Sequence, residues 1–166
     1  MMKHTLGPSS KTTLTNTEPG DSQPNAVDLR LGRVYKIYSD IFEISNNHKQ
    51  HRGSEEIDPD QDGYYNLEPG DYEVVMENII HVGQGEAGWV VTRSTLNRNG
   101  CFLTSGLYDS SYYGVMAAVL HVGIGKARIK QGTRIGQYVS FDAESLSSYD
   151  GDYGIGKQHD QKYGVK

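Results

Sequence analysis

The sequence predicts a single all-β domain with one short helix. Its 166 residues are enough to bury one core, with no spare length for a second domain. The 20 Gly and 12 Tyr residues, together with many Val, Ile and Thr in short runs, favour strands and turns over helices. Many short strands separated by turn signals are typical of a distorted jelly-roll or a β-barrel.

The two ends of the chain differ in composition from its middle. Residues 1–22 are polar, rich in Ser, Thr, Asn and Pro, and without periodicity, which predicts a disordered or loosely attached arm. Residues 23–142 contain the strand-like runs and form the predicted β domain. Residues 143–166 are rich in Ser, Asp, Gly and Tyr, and they predict a flexible C-terminal tail.

The first half of the β domain contains three strand candidates and an insertion. A strand-like run spans 27–44, and a long charged insertion follows at 46–62. Residues 72–80 and 87–92 are strong strand candidates, and the turn between them contains two glycines.

The predicted helix and the last strands follow. Ser94 is the predicted cap of a short helical turn that ends at Gly100. The continuous apolar run 115–120 predicts a strand that is buried on both faces or lies at an oligomer axis. Residues 127–130 and 135–141 complete the predicted sheet.

Composition and charge restrict the class of partner. A net charge of −5 argues against broad nucleic-acid binding, because no basic stripe is available to displace counterions. Cys101 is the only cysteine, which excludes an intramolecular disulfide and a thiolate metal cage. The N-terminus lacks an apolar leader, and no stretch approaches membrane-spanning length. The expected protein is soluble and cytoplasmic, with a small nucleotide as partner and no membrane association.

The segment 93–100 concentrates groups that suit an oligophosphate. It contains two guanidiniums (Arg93 and Arg98), two hydroxyls (Ser94 and Thr95) and the backbone amides of a predicted helix start. Arginine offers planar, permanently charged donors that match phosphate oxygens. The same residues could instead form a capped turn with surface arginines, and residue chemistry alone leaves both interpretations open.

A single carboxylate, Asp109, lies in the segment Gly-Leu-Tyr-Asp-Ser-Ser-Tyr-Tyr-Gly at 106–114. A tight turn between two apolar strands would hold this side chain rigid beside a bound nucleotide. The alternative is an ordinary turn aspartate, which is a common placement in hairpins.

Five segments in this order resemble the dCTP deaminase and dUTPase superfamily, from about Gln23 to Gly164. They are 24–32, 93–100, 106–114, 132–137, and the tail residues Tyr149, Lys157 and Gln161. The resemblance implies a dUTPase-like fold, a homotrimer, and a deoxypyrimidine nucleoside triphosphate as substrate.

The resemblance also implies roles for individual residues. Asp109 would be the catalytic carboxylate that orients or deprotonates the attacking water. The other positions that match the family's nucleotide-binding residues are Arg93, Ser94, Thr95, Arg98, Gln137, Tyr149, Lys157 and Gln161. In the family, the segment that matches 93–98 contacts the triphosphate of a nucleotide held mainly by a neighbouring subunit, and the tail closes over base and phosphates.

Asp28 and Gln137 match family positions that help to organise a magnesium-bound triphosphate. The resemblance therefore implies Mg²⁺ as cofactor, with Asp28 acting on it through water, as suits a hard cation that retains its water. Both residues could instead be structural, with Asp28 capping a strand end and Gln137 satisfying a buried backbone group.

Val119 separates the two activities of the superfamily. The family's deaminases have a glutamate here that activates water for attack on cytosine C4, and a valine can neither accept a proton nor orient water. A zinc-dependent route needs His and Cys ligands that a single cysteine cannot supply. Val119 therefore favours phosphate hydrolysis over deamination.

The sequence thus predicts a dUTP nucleotidohydrolase, which converts dUTP to dUMP and diphosphate with Mg²⁺. One alternative is a dCTP deaminase, or a bifunctional dCTP deaminase and dUTPase, that uses a carboxylate from elsewhere in the chain. A second is a non-catalytic nucleotide-binding protein with a regulatory role.

Overall fold

The computed structural model describes residues 1–165, and over this range the chain is almost entirely β. The strands, numbered in chain order, are β1 (Met2–Lys3), β2 (Thr13–Leu14), β3 (Val27–Ile37), β4 (Glu43–Ser45), β5 (His48–Gln50), β6 (Ser54–Ile57), β7 (Tyr64–Leu67), β8 (Gly70–His81), β9 (Glu86–Thr92), β10 (Cys101–Thr104), β11 (Tyr113–Val122), β12 (Ala127–Lys130) and β13 (Arg134–Asp142). The helices are α1 (Ser94–Arg98) and a 3₁₀ helix near the C-terminus, η1 (His159–Tyr163).

Nine of these strands form one antiparallel sheet in the order β1-β13-β3-β8-β11-β10. Strand β9 also pairs with β13, β6 with β3, and β2 with β8. The pairs β12–β7 and β4–β5 are separate two-stranded sheets. The all-β prediction is confirmed. None of the helices within residues 1–165 has the length and apolar character needed to cross a lipid bilayer.

Strand β3 joins the two halves of the large sheet, and its pairing with β8 shifts register at Gly32. Its first residues, Val27–Arg30, pair with β13, whereas residues from Leu31 onward pair with β8 across a register shift. A Cβ atom on Gly32 would lie 2.8 Å from the carbonyl oxygen of Val75, which is far too close. Glycine is therefore required where β3 crosses closest to β8.

The main core lies on the inner face of the curled sheet. Its fully buried members include Leu29, Leu31, Val74, Met116, Leu120 and Ile135. A second, smaller cluster lies on the outer face and consists of Tyr35, Val75, Val115 and Tyr163.

The apolar run 115–120 belongs to both faces of the sheet. Met116, Ala118 and Leu120 face the main core, while Val115 packs in the outer cluster. Val119 is 38% exposed. The predicted burial on both faces thus holds at Val115 but not at Val119, because the cluster of side chains on the outer face extends to Val115 and does not reach Val119.

The N-terminal arm is bound to the sheet, and the prediction of a disordered or loosely attached segment over 1–22 is wrong. Strand β1 pairs with β13, and β2 pairs with β8. The side chains of Thr5, Thr12 and Asp21 are buried. The polar N-terminal arm is ordered because a buried carboxylate elsewhere in the chain accepts hydrogen bonds from its N–H and O–H groups.

That carboxylate is Glu86, the first residue of β9, which is fully buried. It accepts hydrogen bonds from the side chains of Lys3 (3.0 Å) and Ser10 (3.0 Å). The backbone N–H groups of Lys11 (2.8 Å) and Thr12 (3.1 Å) and the Thr12 hydroxyl (2.6 Å) also donate to it. Burial alone would raise the pKa of Glu86, but these donors outweigh it and lower the pKa to about 2.

We expect Glu86→Gln to lower the free energy of unfolding by on the order of 3 kcal/mol. The NH₂ group of glutamine cannot accept hydrogen bonds, so the donors that now contact one oxygen of Glu86 would lose their acceptor. Because the pKa of Glu86 is depressed from 4.5 to about 2, its stabilisation is complete above pH 4.5 and is lost as the pH falls through 2. Urea unfolding at neutral and acidic pH measures both effects. The control is Glu144→Gln, an exposed carboxylate; equal unfolding midpoints for the two variants would contradict the assignment.

The C-terminal segment is packed against the sheet through residue 165, whereas the sequence predicts a flexible tail over 143–166; Lys166 lies outside the described residues. The N–H of Tyr149 donates to the Ser110 carbonyl at 2.9 Å, and the N–H of Ile155 donates to the Tyr113 carbonyl at 3.0 Å. The Tyr163 side chain closes the outer cluster and is 2% exposed. Aromatic anchors thus order a segment whose composition is that of a loop.

The charged insertion contributes a strand. Within 46–62, β6 pairs with β3, and Glu56 lies opposite Tyr35. The predicted strand at 27–44 ends earlier, at Ile37, and residues 43–50 instead form the exposed β4–β5 hairpin.

Candidate functional site

Asp28 is the centre of a polar cluster at the end of the sheet. Its Oδ1 accepts a hydrogen bond from Gln137 Nε2 at 2.9 Å and lies 3.6 Å from Arg93 Nε. Its Oδ2 accepts one from Gln23 Nε2 at 3.1 Å and lies 3.5 Å from Arg134 Nη1. We call these five residues the Asp28 cluster.

The register of three strands brings the cluster together. Asp28 on β3 lies directly opposite Gln137 on β13, although 109 positions separate them. On its other side Gln137 lies opposite Val91 on β9, two residues before Arg93. The cluster therefore depends on β13 lying between β3 and β9.

The geometry gives Asp28 a positioning role. Its carboxylate is fully buried, and both oxygens accept N–H groups. Because nitrogen atoms of four side chains surround this buried carboxylate, a metal ion does not reach it directly, and residues 1–165 contain no group of three or more His, Cys, Asp or Glu that could hold a metal ion. Arg93 and Arg134 are 31% and 36% exposed, so one buried negative charge anchors two half-exposed guanidiniums. The remaining positive charge favours an anion at the surface of the cluster.

The short helix is confirmed, but its predicted cap is not. Arg93, not Ser94, is the N-cap residue, and no side chain caps the helix. The N–H of Arg93 donates to the Ile135 carbonyl at 3.1 Å, which keeps Arg93 extended as a continuation of β9. Gly100 adopts a left-handed conformation (φ +72°) just beyond the helix, where the turn was predicted to end.

The predicted phosphate segment is divided between two surfaces. Arg93 belongs to the Asp28 cluster, while Thr95 and Arg98 line a groove of about 870 Å³ between α1 and β12. The side chains of Lys126, Arg128 and Lys130 also line this groove. Ser94, Thr95 and Arg98 are exposed, so all three are accessible to a ligand.

Asp109 lies on a rigid turn with its side chain in solvent. Tyr108 and Ser110 on either side of it are buried. Its carbonyl oxygen accepts the N–H of Tyr112 at 3.0 Å, which closes the turn, and Tyr108 exchanges two backbone hydrogen bonds with Gly88 on β9. The main chain on both sides of the exposed carboxylate is therefore fixed.

Gly88 allows this anchoring. A Cβ atom at this position would lie 2.3 Å from the Val139 carbonyl oxygen and 2.4 Å from the Tyr138 ring. No other residue fits between β13 and the turn, so the placement of Asp109 depends on this glycine.

Within one chain, Asp109 and Arg93 lie at opposite ends of β9. Asp109 follows the bridge at Gly88, and Arg93 follows the last residue of the strand, Thr92. Five residues of extended chain correspond to roughly 17 Å. One chain therefore does not bring the carboxylate and the Asp28 cluster into a single pocket.

Of the predicted tail residues, one lies beside Asp109. Tyr149 and Asp109 line the same cavity of about 470 Å³, and the Tyr149 ring packs 5.2 Å from that of Tyr112. Lys157 instead lies 3.6 Å from Asp150, and Gln161 is exposed on η1. Neither Lys157 nor Gln161 lines the cavity of Asp109.

A second cavity, of about 430 Å³, lies on the other side of the loop that precedes Asp109. We call it the hairpin cavity, because residues 104–108 form one wall; the tail forms the opposite wall with Tyr153 and Tyr163. Val119 and Glu73 also line it. Its volume is typical of a small-molecule site, and its lining combines apolar with polar and charged side chains.

The family model described as dCTP deaminase-like matches residues 4–143. The chain belongs to the dCTP deaminase-like family. The match covers every strand of the large sheet except β1, and it includes Asp109 and the Asp28 cluster.

Relatives of this dCTP deaminase-like protein carry hydrolase names. A probable deoxyuridine 5'-triphosphate nucleotidohydrolase of Aeropyrum pernix is 31% identical over 81% of this chain and 85% of its own length. A deoxyuridine 5'-triphosphate nucleotidohydrolase of Methanocaldococcus jannaschii is 28% identical over 87% of this chain and 94% of its own.

Solved structures share the dCTP deaminase-like fold. The 2'-deoxycytidine 5'-triphosphate deaminase of Agrobacterium tumefaciens superposes with a TM-score of 0.60 at 17% identity, over 82% of this chain and 45% of that chain. A mutant dUTPase of Staphylococcus bacteriophage 80alpha, with dUpNHpp, superposes with a TM-score of 0.51 at 11% identity, over 86% and 97%. At these identities the likeness supports the fold alone.

Sequence reasoning missed three polar residues of this dCTP deaminase-like protein. Gln23 and Arg134 contact Asp28, and Glu73 lines the hairpin cavity. Arg134 could have been predicted from the sequence, since it lies three residues before Gln137 in the segment 132–137. Glu73 has no local signal, because only strand pairing brings it to the cavity.

Proposed function

We propose that this protein hydrolyses dUTP to dUMP and diphosphate. The observation that carries the proposal is the exposed Asp109, which is fixed on a rigid turn between two cavities large enough for a nucleoside. Membership of the dCTP deaminase-like family and the hydrolase names of its relatives support it. The proposed compartment is the cytoplasm.

In the proposed reaction the base occupies the hairpin cavity and the sugar lies against Tyr149. Asp109 accepts a proton from a water molecule as its oxygen attacks the α-phosphorus. The bond from the α-phosphorus to the bridging oxygen breaks, and diphosphate leaves with the electron pair. Guanidinium groups offset the charge that develops on the phosphate oxygens.

We propose that the complete site forms between subunits of a homotrimer. The separation of Asp109 and Arg93 in one chain supports this, because a partner's Asp28 cluster can approach a nucleotide held beside Asp109. Arg93, Arg98 and Arg134 are exposed enough to serve a neighbouring subunit. The side chains of Lys157 and Gln161 would have to turn toward the nucleotide when it binds, while the contacts of the tail with the sheet stay in place.

The proposed Mg²⁺ would reach the site on the triphosphate. When bound, the ion offsets phosphate charge and orients the leaving group. Because both oxygens of Asp28 accept N–H groups, Asp28 would act on the ion only indirectly, by holding Gln137 and Arg93 in place.

The direct test is to incubate the purified protein and Mg²⁺ with each of the four deoxynucleoside triphosphates and to separate the products by chromatography. We expect dUMP and diphosphate from added dUTP at a rate far above those for the other nucleotides. Tight nucleotide binding without any phosphate release would instead identify a non-catalytic binding protein and overturn the proposal.

We expect no release of ammonia from dCTP above background. Val119 lies on the outer face of β11 in the hairpin cavity, where it offers no group that could deprotonate water. An enzyme-coupled ammonia assay measures this outcome, and dUTP hydrolysis in the same preparation is the positive control. Clear conversion of dCTP to dUTP would make deamination the better assignment.

A further inference from the structure

A row of four side chains crosses the outer face of the sheet at the hairpin cavity. Tyr35 on β3 lies opposite Glu73 on β8, and Glu73 lies opposite Val119 on β11. Val119 in turn lies opposite Thr104 on β10. Side chains directly opposite each other in an antiparallel pair point to the same face about 5 Å apart. Glu73 therefore brings a carboxylate beside the position where the sequence has only Val119.

The carboxylate of Glu73 is largely buried and lies at the cavity wall. Its side chain is 17% exposed, and Glu73, Val119 and Thr104 all line the hairpin cavity. Lys162 Nζ lies 2.8 Å from Oε2, and the Tyr163 hydroxyl donates to Oε1. The Ser54 hydroxyl lies 3.5 Å from Oε2.

These contacts favour recognition by Glu73 over proton transfer. Burial and the hydrogen bond to Glu73 raise the pKa of Tyr163, so its phenol keeps its proton and donates. A carboxylate has about four acceptor positions, so Tyr163, Lys162 and Ser54 leave one for a further donor. The cavity keeps a volume of about 430 Å³ with the tail in this position, so a ligand and these tail contacts are compatible.

We propose that Glu73 determines base specificity by accepting the N3–H of uracil in the hairpin cavity. Lys162, beside it, donates to a neighbouring carbonyl oxygen of the ring. The inference rests on the proposed function, since it takes dUTP as the substrate. A buried polar group discriminates strongly against a ligand that leaves it unpaired.

The test compares dUTP with 3-methyl-dUTP, which lacks the N3–H. In the full-length protein with Mg²⁺ we expect kcat/KM to favour dUTP by at least ~10-fold, as is typical of a hydrogen bond to a charged group. In Glu73→Ala we expect this preference to fall to nearly one, mainly through a higher KM for dUTP. A preference that stays unchanged in Glu73→Ala would overturn the proposal.

Two further variants separate recognition from a structural role. Tyr163→Phe removes the hydroxyl that contacts Glu73 but keeps the buried ring, and it should retain the preference for dUTP. Glu56→Ala removes a carboxylate that lies opposite Tyr35 but does not line the cavity. This variant should also retain the preference for dUTP. If Tyr163→Phe loses the preference as fully as Glu73→Ala, then Glu73 only holds the tail in place.

Two additional measurements keep the proposed function and the role of Glu73 separate. The ratio of the dissociation constants of dUMP and 3-methyl-dUMP measures the same preference without turnover. If no hydrolysis is observed, the proposed function is wrong, but this ratio still decides the role of Glu73. Release of ammonia from dCTP that is abolished in Glu73→Ala would show that Glu73 acts as a base, and it would overturn the recognition role.

Discussion

Asp109→Asn is expected to lower the rate of dUTP hydrolysis at least ~100-fold while nucleotide binding persists. Asparagine keeps the shape of the side chain but cannot accept the proton of the attacking water. The main-chain hydrogen bonds that fix the turn do not involve the carboxylate, so the fold should not change. Single-turnover kinetics give the chemical rate, and isothermal titration with a non-hydrolysable analogue gives the affinity.

The matched control is Glu144→Gln, because Glu144 is an exposed carboxylate that lines the same cavity as Asp109. It should keep the parent rate. Hydrolysis at the parent rate by Asp109→Asn would mean that Asp109 is only a turn residue, and the proposed mechanism would be wrong.

Truncation before Tyr149 is expected to reduce dUTP hydrolysis at least ~100-fold, since it removes the wall of both cavities and prevents closure over the nucleotide. We also expect this truncation to lower the free energy of unfolding. Tyr163 closes the outer cluster, and removal of a buried aromatic side chain typically costs about 3–5 kcal/mol. The strands of the main core should persist, as measured by circular dichroism and urea unfolding.

A point variant separates the two effects of truncation. Lys157→Met removes one half-exposed charge without opening the outer cluster, and it should lower the rate by about 10-fold at unchanged stability. Leu146→Ala, at a tail residue that is 99% exposed, is the control and should have no effect. Full activity of the truncated protein would show that the tail takes no part in catalysis.

Much of the fold follows from local patterns. The strand predicted at 127–130 matches β12, and the short helix lies between Ser94 and Gly100, the two residues that predicted it. These elements depend on periodicity and turn residues, which neighbouring positions alone define. The order of the N-terminal arm does not follow from local patterns, because it depends on Glu86, which is about 75 residues away.

The candidate site was predicted in its parts but not in its arrangement. The sequence identified Asp109, Arg93, Asp28 and Gln137. It did not indicate that Asp28 is buried under two arginines, or that Arg93 and Asp109 lie at opposite ends of β9. These relations arise from the order of β3, β13 and β9 in the sheet.

The sequence by itself determined the all-β class, the position of the helix and the turn at Asp109. Each of these depends on residue types within a few positions of one another. Only the tertiary structure decided that Glu73 lies beside Val119, that the tail closes the hairpin cavity, and that one chain holds two separated parts of the site. The physical reason is that strand pairing brings together residues distant in sequence, and no local pattern determines which strands become neighbours.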